Sequence, residues 1–177
     1  MALEIERRFL VAGDGWRSQV RCSHNLRQGY LTTGPGRLTV RVRQARDGAW
    51  LTLKAPASGD GLIRHEFEYP IPMEDAAELL ALAPAVLAKC RHVLNLPGGE
   101  WVVDVFEGAN APLVMAEVEV SDLQAREGLQ ALAVPAWCVQ EITGRGELSN
   151  AALAAHPLAS WPAAERDGLL TLLSTQV

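Results

Sequence analysis

Charged and apolar residues alternate with a period of two in one stretch of the chain after another. Glu4, Glu6 and Arg8 alternate with Leu3, Ile5, Arg7 and Phe9; Arg37, Thr39, Arg41 and Arg43 alternate with Leu38, Val40 and Val42. Thr52 and Lys54 oppose Leu51 and Leu53, while Arg64, Glu66 and Glu68 oppose Ile63, His65 and Phe67. Lys89 and Arg91 fall in phase, Asp104 follows, and Glu117 and Glu119 oppose Ala116, Val118 and Val120. Successive side chains of a strand point to opposite faces, so each stretch predicts a strand with one charged and one apolar face.

Eight strands are expected, over roughly 3–11, 24–32, 37–46, 49–55, 62–70, 88–96, 100–107 and 113–120. Turn residues separate them: Gly34-Pro35-Gly36, Asp47-Gly48, the loop from Pro56 to Gly61, Pro97-Gly98-Gly99, and Gly108 to Pro112. Apolar spacings of three and four predict helices over about 73–83, 121–132, 148–155 and 162–174. On any single strand the charged face reads as solvated. Eight such strands together fit a sheet closed on itself, with the charges lining its lumen and amphipathic helices covering the apolar outside. The expected fold is α+β and mainly β: an eight-stranded antiparallel closed barrel with helices packed outside. A length of 177 residues suits one domain, with residues 148–177 a helical C-terminal extension expected to modulate the site without joining its chemistry.

Composition narrows the function. A net charge of -5 gives no basic field for nucleic acid, which is excluded as a partner. Cys22, Cys90 and Cys138 are odd in number and form no paired motif, which suits buried thiols in a reducing compartment. No apolar run approaches the roughly 18 residues of a spanning helix, and the first residues are too charged for a signal peptide; a cytoplasmic protein with no membrane partner is expected. The four histidines lack metal-ligand spacing, and the five tryptophans read as packing residues.

A lumen carrying both carboxylates and Arg or Lys has a physical use. Hard divalent cations take carboxylate oxygens, and Arg and Lys hold phosphoryl oxygens, so a metal–polyphosphate complex needs both sets together. A P-loop of the GxxxxGK[ST] form is absent, which removes the commonest alternative triphosphate chemistry.

Several stretches carry a specific likeness. Glu4-Ile5-Glu6-Arg7-Arg8 resembles the ExExK signature that opens CYTH proteins, the triphosphate tunnel metalloenzymes. In order along the chain follow Gln28-Gly29-Tyr30-Leu31, Thr39-Val40-Arg41-Val42-Arg43, Leu51-Thr52-Leu53-Lys54, Glu66-Phe67-Glu68, Lys89-Cys90-Arg91, Val103-Asp104-Val105-Phe106, Ala116-Glu117-Val118-Glu119 and Glu141-Ile142-Thr143-Gly144. The likeness spans about residues 3 to 155. It implies an eight-stranded tunnel that binds a triphosphate lengthwise with Mg²⁺ or Mn²⁺, two ions being expected.

By the resemblance, Glu4, Glu6, Glu117 and Glu119 look like metal ligands. Glu66, Glu68 and Asp104 are further candidates to hold a second ion or orient water. Arg8, Arg41, Arg43, Lys54, Lys89 and Arg91 look like the phosphate cradle, with Arg64 beside them, and Tyr30 matches a tyrosine that touches substrate in tripolyphosphatase members. Arg8 stands where the signature has lysine; in the tunnel it is expected to contact phosphate or the Tyr30 hydroxyl, and a strand one register out of phase would turn Arg7 inward instead. Glu141 reads as an ion-pair partner.

The implied activity is metal-dependent hydrolysis of a triphosphate, inorganic tripolyphosphate first, by in-line attack of a positioned water. A class IV-type adenylyl cyclase, a thiamine triphosphatase and a non-catalytic polyphosphate sensor are the alternatives. The expected partner is a triphosphate-containing small molecule, and the protein is expected to be a monomer or homodimer.

Overall fold

The computed structural model describes residues 3–32, 38–57, 63–120 and 126–174. Arg37, the Gly34-Pro35-Gly36 turn and the loop before Gly61 beyond Ala57 lie outside the described residues, as do the first positions of the helix expected over 121–132.

The strands are β1 (Leu3–Val11), β2 (Val20–Tyr30), β3 (Thr39–Gln44), β4 (Ala49–Pro56), β5 (Ile63–Ile71), β6 (Ala85–Leu94), β7 (Glu100–Phe106), β8 (Val114–Val120) and β9 (Cys138–Glu141). All neighbours pair antiparallel in the order β5-β4-β3-β2-β6-β7-β8-β1. Pairing of β5 back onto β1, through Leu3–His65, Glu4–Arg64 and Ile5–Ile63, closes eight strands into the barrel. β9 was not expected: it extends the sheet beside the last residues of β1, Phe9 to Val11. Strand β2 also begins four residues earlier than the alternation suggested.

The helices are α1 (Met73–Leu82), α2 (Arg126–Ala131), α3 (Asn150–Ala155) and α4 (Ala163–Leu173); none among the described residues is long and apolar enough to cross a membrane. They cover the barrel in three places. Helix α1 sets Ala76 and Leu80 against Val42 and Ala49. It approaches so closely at Gly29 that a Cβ there would lie 2.8 Å from the Ala83 methyl and 2.9 Å from Leu80 Cδ2, which accounts for the glycine in Gln28-Gly29-Tyr30. Leu129 of α2, with Trp16 and Trp137, covers Ile5, Phe9, Trp101, Val103, Ala116 and Val118, the outward side chains of β1, β7 and β8.

The third place is one end of the barrel interior. Leu10, Leu87, Phe106 and Met115 continue the inward faces of β1, β6, β7 and β8, and there they pack with Leu148, Leu153, Leu158 and Leu169 from the C-terminal segment. Removing this apolar area from water favours the packed state by about 1.5–3 kcal/mol per large side chain. The interior is therefore filled by hydrocarbon at one end, and what remains above it is a blind chamber.

Candidate active site

The chamber has a volume of about 660 Å³. Five strands supply most of the expected acids and bases to its walls: Glu4, Glu6 and Arg8 from β1; Arg41 and Arg43 from β3; Lys54 from β4; Arg64, Glu66 and Glu68 from β5; Glu117 and Glu119 from β8. Arg91 from β6 and Tyr30 from β2 complete the expected set at the wall. Two expected members lie elsewhere: Lys89 and Asp104 are 1% and 0% exposed and sit beneath the chamber floor. Glu100, Thr39 and a C-terminal group of Gly146, Ser149, Asn150 and Ala151 also line the chamber.

Each cation is held by a carboxylate on the adjacent strand or the next but one. Lys54 Nζ donates to both Glu4 oxygens at 2.7 and 2.8 Å and lies 3.3 Å from Glu66. Arg64 donates to Glu6 and is 3.3 Å from Glu4. Arg43 donates to both oxygens of Glu68 at 2.8 and 2.9 Å. Arg41 donates to Thr52 Oγ1 at 3.0 Å, and that hydroxyl donates on to Glu68 at 2.9 Å. Arg91 donates to Glu117 at 2.6 Å and to the two Asp104 oxygens at 2.8 and 2.7 Å. Asp104 thus acts from below, fixing the guanidinium that reaches the chamber, and it also accepts from Lys89 at 2.5 Å.

Strand register is settled by the two adjacent arginines. Arg8 is inward: its Nη2 donates to the Leu148 carbonyl at 2.8 Å, and its Nε lies 3.4 Å from Glu117. This end of Arg8 is tied to the C-terminal segment, and the Tyr30 hydroxyl is hydrogen-bonded with Arg41. Arg7 is outward, where it donates to both Glu141 oxygens and to the carbonyls of Leu129 and Leu132. Glu141 is its ion-pair partner.

The electrostatics follow from this pairing. Burial pushes Glu117 up, but Arg91, Lys89 and Arg8 outweigh it and hold its carboxyl well below the usual carboxylate range. Burial acts likewise on Glu4, which Lys54 and Arg64 pull down. Glu6 is raised, by burial first and by Glu117 next. Glu119 is the extreme case: burial, then the charge of Glu4, push it to about 8. Burial brings the Lys89 ammonium down to about 8 against the pull of Asp104, and pushes the Tyr30 phenol up to about 12.

Glu119 is raised because of the company it keeps. One oxygen each from Glu4, Glu66 and Glu119 lie within 4.8 Å of one another. A cluster of three carboxylates drawn from β1, β5 and β8 carries more negative charge than Lys54 neutralises, and oxygen donors at this separation fit a hard divalent cation. Glu6 and Glu117, expected beside them as ligands, point at Arg64 and Arg91 instead. Glu66, expected to hold a second ion or orient water, contributes one oxygen to this cluster.

A closed antiparallel barrel whose chamber interleaves carboxylates with Arg and Lys has the groups to hold a cation and an anion side by side inside its sheet. The CYTH domain profile matches residues 2–152, and the chain belongs to the CYTH domain family. Among its relatives is an inorganic triphosphatase of Acetivibrio thermocellus, 35% identical over 159 residues that cover 89% of this chain and 96% of that protein. An inorganic triphosphatase of Nitrosomonas europaea is 38% identical over 158 residues, covering 85% and 96%. A solved crystal structure of an inorganic triphosphatase matches this fold with a TM-score of 0.61 at 34% identity, over 88% of this chain and 96% of its own.

Proposed function

We propose that the protein is a metal-dependent triphosphatase that hydrolyses inorganic tripolyphosphate in the barrel chamber. The observation that carries the reading is the carboxylate cluster Glu4, Glu66 and Glu119 set beside an arc of guanidinium and ammonium groups in one blind cavity. Kinship to inorganic triphosphatases over nearly their whole length supports it.

In this reading Glu4, Glu66 and Glu119 hold Mg²⁺ or Mn²⁺, with Glu6 and Glu117 near enough to serve a second ion once their arginines turn to substrate. The ion supplies charge neutralisation at phosphoryl oxygens and a more acidic bound water. The chain does the rest. Arg8, Arg41, Arg43, Lys54, Arg64 and Arg91 exchange their carboxylate partners for phosphoryl oxygens, each charge-assisted contact contributing about 1.5–3 kcal/mol. Glu68, held by Arg43 and Thr52, accepts from the attacking water in this reading. Tyr30, protonated up to about pH 12, donates to the substrate and cannot take its proton at neutral pH. Asp104 and Lys89 keep Arg91 aligned from beneath the floor.

The cyclase and thiamine triphosphatase alternatives lose ground on the lining: among the described residues that line the chamber Tyr30 is the one aromatic side chain, and these residues offer no stacking platform for adenine, pyrimidine or thiazolium. A cytoplasmic setting and the absence of nucleic-acid and membrane partners belong to the same proposal, as does a domain of residues 1–177 in which 148–177 are the helical extension. The test is turnover of tripolyphosphate, ATP and thiamine triphosphate by the purified chain with Mg²⁺ or Mn²⁺. Phosphate released fastest from tripolyphosphate is expected; cyclic nucleotide from ATP would select the cyclase, and tight binding of tripolyphosphate without turnover would select the sensor.

A further inference from the structure

The C-terminal segment enters the chamber at a point where its backbone is clamped on both sides. Arg8 donates to the Leu148 carbonyl at 2.8 Å. Five residues on, buried Asn110 donates to the Leu153 carbonyl at 3.0 Å, and its Oδ1 accepts from the Leu158 N–H at 2.9 Å. Leu148 and Leu153 are both fully buried, and Ser149 accepts from the Ala152 N–H, fixing the first turn of α3. Between these anchors stands Asn150, which lines the chamber and accepts from Lys89 Nζ through Oδ1 at 3.1 Å.

That hydrogen bond dictates which way the amide faces. An ammonium only donates, so the oxygen of Asn150 must be the end turned to Lys89, and both N–H donors of its Nδ2 are left for the chamber. Lys89 does not line the chamber itself. Its charge is 1% exposed and shared with Asp104, and Asn150 stands between it and the cavity. A buried charge polarises the hydrogen-bonded group in front of it, which strengthens the outward N–H donors. The blind end of the chamber thus presents a neutral pair of donors backed by a cation, where the walls present cation–carboxylate pairs.

We propose that Asn150 is a substrate-binding residue of the C-terminal segment, donating to oxygens of the terminal phosphoryl group at the blind end of the chamber and relaying the charge of Lys89 to it. The assignment rests on the triphosphatase reading of the chamber and brings part of the C-terminal extension into direct contact with substrate.

Asn150→Asp separates binding from architecture. The aspartate keeps an oxygen for Lys89 and forms an ion pair with it, so the unfolding temperature should not fall; it also replaces two donors with acceptors and adds a negative charge where phosphate arrives. The full chain is assayed for tripolyphosphate hydrolysis with Mg²⁺, and for tripolyphosphate binding by calorimetry in EDTA, where no turnover interferes. The expected result is a KM raised at least about tenfold and binding in EDTA weakened by a similar factor, the loss of one or two charge-assisted contacts. Asn150→Ala, which removes the donors without adding charge, should weaken both by about tenfold or less, and it carries the test if the aspartate variant does not fold. Binding and KM within twofold of wild type in whichever variant folds overturn the assignment. Weakened binding in a protein whose wild type does not turn over tripolyphosphate leaves the assignment standing and sinks the triphosphatase reading; a wild type that neither binds nor hydrolyses tripolyphosphate overturns both.

Discussion

The barrel interior is two regions built on the same faces of the same strands. Toward the chamber, β1 carries Glu4, Glu6 and Arg8 inward; at the closed end the same face carries Leu10. Strand β8 runs from Glu119 and Glu117 to Met115, β6 from Arg91 and Lys89 to Leu87, and β7 from Asp104 to Phe106. The closed end is hydrocarbon on hydrocarbon, and its burial stabilises the fold directly. In the chamber, desolvation of each charge offsets most of the attraction between partners, so the pairs add little net stability. What they maintain is a set of groups ready to exchange partners. Stability and chemistry are thereby divided along the barrel axis, and substitutions in the two regions should fail in opposite ways.

The division breaks most visibly on metal removal. Excess EDTA should lower tripolyphosphate hydrolysis by about 10³-fold or more, a barrier change of about 4 kcal/mol, and Mg²⁺ or Mn²⁺ should restore it. Among the described residues the closed end is packed by hydrocarbon side chains and holds no carboxylate cluster, so far-ultraviolet circular dichroism should not change. Activity that persists in EDTA would end the metal reading of Glu4, Glu66 and Glu119.

Glu119→Gln comes next, with about a 10²-fold loss of turnover expected from removing one carboxylate of the cluster. In metal-free protein the same change should not destabilise. The Glu119 carboxyl titrates at about 8 in the fold against 4.5 unfolded, so between those values the folded state binds more protons than the unfolded one and stability falls as pH rises. Full stability from this group is present below about pH 4.5 and is lost toward pH 8. Thermal melts of the wild type in EDTA should show that decline, and Glu119→Gln should flatten it. A wild-type melting temperature that rises through this range, or an unaltered slope in the variant, would contradict the account of the cluster.

At the closed end, Leu153→Ala should cost about 2–5 kcal/mol of stability in denaturant unfolding, the range for truncating a fully buried leucine. Turnover per folded molecule at saturating tripolyphosphate should stay within severalfold of wild type. A variant that keeps its stability yet loses turnover would erase the distinction between the two regions.

How far this was legible in the sequence follows from what period-two alternation encodes. Alternation identifies a face, so the inward set from Glu4 to Glu119, the eight barrel strands and the outward packing of α1 could all be read. Depth along the axis is not encoded in parity. Lys89 and Asp104 share the parity of the chamber residues yet lie beneath its floor; the apolar residues at the ends of the same faces, Leu87 and Phe106, were the available signal that the lumen changes character there. The grouping of Glu4 with Glu66 and Glu119 depends on closure of β5 and β8 onto β1, a register between segments some 50 to 115 positions apart that no local pattern specifies. Strand β9 is four residues long, follows Pro135, and is held mainly by Phe9 to Val11 and by Arg7 reaching across to Glu141. Its existence depends on a partner already in place.

Arg8 and Arg7 give the finest test, because they are neighbours on opposite sides of the barrel wall. Arg8 sits at the boundary between the two regions, with Nε toward Glu117 and Nη2 on the Leu148 carbonyl. Arg8→Ala removes both the charge proposed to face phosphate and the clamp on the C-terminal segment, so a loss of about tenfold to hundredfold in kcat/KM is expected, with lowered stability. Arg8→Lys restores a charge, but a single ammonium cannot reach Glu117 and the Leu148 carbonyl with the geometry of a fork. It should recover much of the turnover, to within about tenfold of wild type, while leaving the clamp weakened. Arg7→Ala acts on the other side of the strand: it frees Glu141 and the carbonyls of Leu129 and Leu132, which should lower stability by about 1–2 kcal/mol. Turnover per folded molecule should remain within twofold, because Arg7 lies on the outward face of β1 and bonds Glu141 and the carbonyls of Leu129 and Leu132. A larger catalytic loss from Arg7→Ala than from Arg8→Ala would mean that the register of β1 is one residue out, and the inward faces on which both regions depend would have to be reassigned.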